Sequence, residues 1–72
     1  LLYKELGEYN KAIEHYYNSL TISDSVNWAE GSTAALNNIS VLYDINGNTE
    51  QAISILKDSW EISKEKNLQN IL

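Results

Sequence analysis

The sequence predicts an all-α chain of antiparallel helical hairpins, and three observations predict it. The chain repeats itself at a spacing of forty residues: Leu2, Tyr3, Gly7, Ala12, Ile13, Ser19, Ile22, Ser23 and Asn27 recur as Leu42, Tyr43, Gly47, Ala52, Ile53, Ser59, Ile62, Ser63 and Asn67. Periods of this length are the mark of repeat architectures. Apolar residues also fall at helical spacing, with Leu36, Ile39 and Tyr43 at i, i+3 and i+7. Finally, no proline occurs anywhere, and the matched glycines stand where a helical hairpin needs its turns.

Each element follows in order. Residues 1–6 read as the tail of a first helix that closes at Gly7. A second helix is expected over residues 10–24, carrying Ala12, Ile13, Tyr16 and Leu20 and closed by Asp24-Ser25-Val26-Asn27. The next first helix is expected over residues 29–46, with its stripe on Leu36, Ile39 and Tyr43. Asn46-Gly47 ends it, since Gly47 is free to take the left-handed conformation. A further second helix is expected over residues 49–64. Asn48 or Thr49 caps it, Glu50 meets the positive end of its dipole, and Lys64 and Lys66 suit the negative end. It carries Ala52, Ile53, Leu56, Trp60 and Ser63, and Ser40 opposite Ala52 sets small against small so that two helices approach closely. Tyr16, Tyr17 and Trp60 are expected to pack, and Trp28 either staples two repeats or lies at an exposed edge.

The division predicted is therefore the tail of one repeat over 1–27, a full repeat over 28–67 and the start of another over 68–72. The chain opens on Leu1 rather than methionine and is apolar at both ends (Leu1, Leu2, Tyr3; Leu68, Ile71, Leu72). A segment of a longer array is expected, one that self-associates where its end helices lack neighbours.

Composition removes several functions. A net charge of −5 with no arginine does not suit nucleic acid or an anionic membrane, both of which call for clustered basic residues. No apolar run approaches the ~20 residues of a membrane span. Without cysteine there is neither a disulfide framework nor thiolate chemistry. His15 is the single histidine, too few ligands for a transition metal, and no strained serine turn stands ready to use it as a base. Glu61 and Glu65, one helical turn apart, read as a solvated face, and the three glycines are too scattered to form a phosphate loop. No catalysis, cofactor or metal is expected.

The spacing Leu36-x2-Ile39-Ser40-x2-Tyr43-x3-Gly47-x4-Ala52-x3-Leu56-x2-Ser59 resembles the tetratricopeptide repeat, and Tyr3, Gly7, Tyr9, Ala12, Tyr16 and Ser19 supply the matching places of the earlier copy. The forty-residue unit looks like the long variant of kinesin light chains and bacterial signalling arrays, against about 34 residues for the standard unit. It departs from the pattern in lacking the closing proline and in carrying Thr49 where an aromatic is usual. The resemblance implies a right-handed α-solenoid that binds a protein or an extended peptide in its concave groove. Two other readings are kept: the peptide-sensing part of a bacterial regulator, in which a signalling peptide switches a DNA-binding, phosphatase or kinase activity, and an oligomerisation scaffold.

Two adjacent asparagines in the middle of an apolar helix need a reason, because asparagine is a mediocre helix former. At 100° per residue Asn38 falls beside Ala34, Val41 and Ile45, while Asn37 falls nearer Asp44 on the polar edge. The resemblance places these six residues (Ala34, Asn37, Asn38, Val41, Asp44 and Ile45) on the ligand-facing side of the inner helix. An asparagine amide there offers a donor and an acceptor to a peptide backbone. Solvated or turn-bonded asparagines are the plainer alternative.

Overall fold

The computed structural model describes the backbone of residues 3–71 and the side chains of residues 5–67. Three helices make it up: α1 (Tyr3–Ser25), α2 (Ala29–Ile45) and α3 (Thr49–Ile71), with no strand among the described residues. The middle helix packs on both of the others, and α1 and α3 do not pack on each other among the described residues. The result is a slab one helix thick, 49 × 23 × 10 Å between Cα extremes. The apolar ends predicted to lack neighbours, Leu1, Leu2, Tyr3, Leu68, Ile71 and Leu72, lie outside the described side chains.

Both joints are built alike. Asn27 (φ 56°) and Gly47 (φ 84°) occupy the left-handed region one residue after the helical cap. Around Asn27, the Trp28 amide donates to the Ser23 carbonyl at 2.9 Å and the Asn27 amide to Asp24 at 3.2 Å. Around Gly47, the Asn48 amide donates to Tyr43 at 2.8 Å and the Gly47 amide to Asp44 at 3.0 Å. These are paired Schellman closures, which satisfy carbonyls that a helix end leaves open. Trp28 and Asn48 then begin the next helices, their carbonyls accepting the amides of Ser32 and Ala52 at 3.1 and 3.0 Å. Asparagine serves at the first joint because its short polar side chain tolerates the left-handed region better than most.

Gly7 does not make a turn. Helix α1 runs through it without a break, and the φ of Gly7 is not positive. Running on costs about 1 kcal/mol for the glycine, and stopping would add two helix ends to satisfy. Helix α3 likewise runs on, to Ile71 instead of ending near Lys64. Asn67, which matches Asn27 in the repeat, lies inside this helix. The two glycines should consequently respond with opposite signs. Nothing lies within 4 Å of a Cβ on Gly7, so Gly7→Ala should stabilise by about 1 kcal/mol. Gly47→Ala should destabilise by about 1–2 kcal/mol, the cost of a Cβ in the left-handed region. Urea titrations of the two variants check this.

The core lies on α2. Ile39 is fully enclosed, Ala35 and Leu36 are buried beside it, and Ala52 is buried on α3. Four buried serines complete the interior, Ser23, Ser32, Ser40 and Ser59. Ser32 Oγ donates to Asp24 Oδ1 at 2.6 Å, tying α2 to the end of α1. Ser59 Oγ donates to Asn37 Oδ1 at 2.9 Å, tying α3 to α2. On α3 the expected stripe is only partly inward: Ala52 is buried and Ser63 half-buried, but Ile53, Leu56 and Trp60 are exposed. Ile55, Ser59 and Ile62 take the inward positions instead. Trp28 combines both expectations. It stands at the α1–α2 joint with its ring against Gly31, yet it is 57% exposed.

Candidate protein-binding face

Of the α2 residues, Ala34, Asn37, Asn38, Val41, Asp44 and Ile45 are all exposed. At 100° per residue they form a single stripe opposite buried Ile39. The two asparagines have separate roles within it. Asn37 leans toward α3, where its Oδ1 accepts the Ser59 hydroxyl, while within α2 its backbone carbonyl accepts Ser40 Oγ at 2.7 Å. Its side-chain oxygen thus holds the hairpin together. One residue on, the Asn38 side chain makes no hydrogen bond among the described residues and is exposed.

Beside this stripe a groove of about 340 Å³ runs between α2 and α3, lined by Asn37, Ser40, Val41, Asp44, Thr49, Ala52, Ile53 and Leu56. The α3 half of this surface was missed by reading one helix at a time. Thr49, Ala52, Ile53 and Leu56 are spaced i, i+3, i+4 and i+7, the pattern of a single helical face, of which the sequence reading gave Thr49 to the cap and the other three to the core. Farther along α3, Trp60 is 63% exposed and carries the Lys64 ammonium 5.1 Å from its ring centroid, a cation–π arrangement.

Between α1 and α2 lies a second set of groups, the tyrosines. The hydroxyls of Tyr17 and Tyr43 are 2.9 Å apart, while the Tyr9 hydroxyl oxygen is enclosed, with the Asn46 side chain near it but no well-formed hydrogen bond among the described residues. The hydrogen bond to Tyr43, helped by burial, pushes the Tyr17 phenol up to about 12. Burial, and then Tyr43, raise Tyr9 as well. The native state holds the Tyr17 proton more tightly than the unfolded chain, whose phenol titrates near 10. Stability from this group is therefore complete below pH ~10 and declines as pH rises from there toward about 12. Melts across that range should show the decline, and Tyr17→Phe should make it shallower.

His15 is exposed, its ring edge-on to Tyr16 at 5.8 Å. No group of three or more metal-ligating side chains occurs among the described residues, and no described helix is long and apolar enough to cross a membrane.

A family profile described as tetratricopeptide repeat matches residues 32–67, half of the chain, and a second profile of the same description matches residues 1–25. No curated protein and no solved structure gives a match. Such repeats generally mediate protein–protein interactions and typically act as non-catalytic scaffolds. The all-helical hairpin, the left-handed Gly47 joint and the two profile matches agree: this chain belongs to the tetratricopeptide repeat family.

Proposed function

We propose that the chain is a non-catalytic scaffold segment that holds an extended stretch of another protein along the exposed face of α2. The observation that carries this reading is the stripe of Ala34, Asn38, Val41 and Ile45, which is exposed and is continued on one side by the groove against α3. A small residue, an unengaged amide and two branched side chains give a peptide both close approach and hydrogen bonding. The division into repeats over 1–27, 28–67 and 68–72, and their stacking as a right-handed solenoid, form part of the same proposal. Within it the exposed Trp60 meets the hairpin that follows.

Asn38→Ala tests the reading. Up to two hydrogen bonds to a ligand backbone disappear, each worth about 0.5–1.5 kcal/mol net, so affinity should fall about tenfold. Stability should rise slightly, because alanine is the better helix former. The measurement uses binders selected on the wild-type chain from a displayed random-peptide library, titrated against both proteins, with a melt of each. Unchanged affinity, or an affinity loss that follows a stability loss, removes Asn38 from the binding face.

A further inference from the structure

We infer that the α2–α3 groove selects a segment bearing a large apolar side chain two residues from a lysine or arginine, the cation seated at Asp44. The inference rests on the α2 face being a binding surface and names the chemistry of what it binds. Three apolar side chains border the groove, each about half exposed: Val41 at 55%, Ile53 at 48% and Leu56 at 48%. Two of the polar groups beside them are already engaged, since Asn37 Oδ1 accepts Ser59 and Ser40 Oγ donates to the Asn37 carbonyl. Hydrocarbon is therefore the surface this part of the groove offers.

Asp44 is the one charged residue lining the groove. Its carboxylate is exposed and has no ion pair among the described residues. It also stands in the last turn of α2, which holds no basic residue. A carboxylate at the negative end of a helix dipole is an unfavourable placement for stability. The two negative sources add, so the groove pairs an apolar wall with a negative end, and a cation arriving there relieves both. Val41 and Asp44 are three residues apart, about 4.5 Å along the helix axis. Side chains on one face of an extended peptide recur about every 6.6 Å, a mismatch that the flexible stem of lysine or arginine absorbs.

The experiment is an amide chemical-shift titration of the isotope-labelled 72-residue chain with blocked pentapeptides. The probes are Ser-Leu-Ser-Lys-Ser, its reversed order Ser-Lys-Ser-Leu-Ser, and versions with glutamate for lysine or alanine for leucine. At low ionic strength the better lysine peptide should bind about fivefold more tightly than its glutamate counterpart, as an exposed charge contact allows. Near 1 M salt that preference should vanish. The alanine peptides should bind more weakly than the leucine peptides. Asp44→Asn should reduce the lysine preference to about twofold or less while leaving the melt unchanged or slightly raised. That combination separates a ligand contact from a structural role. Equal binding of lysine and glutamate peptides, or a preference that survives Asp44→Asn, overturns the inference and leaves the groove reading standing. No shift at Val41, Ile53 or Asn38 with any probe overturns both.

Discussion

Replacing Ile39 with alanine is expected to cost about 3 kcal/mol, the usual range for a buried isoleucine cut to a methyl group being about 2–5. Among the described residues Ile39 is the largest side chain enclosed completely, and it sits on the helix that both neighbours pack against. A chain of 72 residues has only about 4–10 kcal/mol of stability in total, so this one truncation removes a large share. The melting temperature should drop by roughly 12–24 °C. Ile39→Val, which keeps most of the volume, should cost about 1 kcal/mol. A loss below about 1 kcal/mol in the alanine variant would show that the core is centred elsewhere.

The second large effect is expected at Gly31, where the helix has no room for a side chain. A Cβ built there collides with the indole of Trp28 and with the hydroxyl of Ser23, which is itself buried. Overpacking of this kind costs about 1–3 kcal/mol, and valine adds a β-branched penalty within the helix. Gly31→Val should thus destabilise by about 2–3 kcal/mol. Gly31→Ala should lose less, since the better helix propensity of alanine returns about 1 kcal/mol. Chemical denaturation of Gly31→Val alone and combined with Trp28→Ala locates the cause. Removing the ring should recover part of the loss, and a fully additive pair would clear Trp28 of the collision.

Helix α2 was legible from the sequence nearly to the residue, because its apolar stripe and the Asn46-Gly47 stop point the same way. Gly7 was not, although it carries the same residue in the same repeat position. What separates the two is tertiary: the chain turns back at Gly47 and runs straight on at Gly7, which no local pattern encodes. Asn67 misleads for the same reason. The exposed stripe of α2 was also readable, since angular position alone sets it, but the pairing of Asn37 with Ser59 was not. That contact depends on how α3 lies across α2, a tertiary fact. The α3 side of the groove was hidden by a related ambiguity, because Ile53 and Leu56 read as core until the packing shows which face turns inward.

The two three-residue joints give the chain a particular mechanical character. Each is closed by a pair of backbone hydrogen bonds, so neither holds slack that could stretch before the helices themselves move. Because α2 carries a joint at either end and packs on both neighbours, a twist applied through α3 acts on α1 through a single stiff arm. A load drawn along the chain is then met by rotation of whole helices, in the manner of a hinged rule, and not by the uncoiling of a tether.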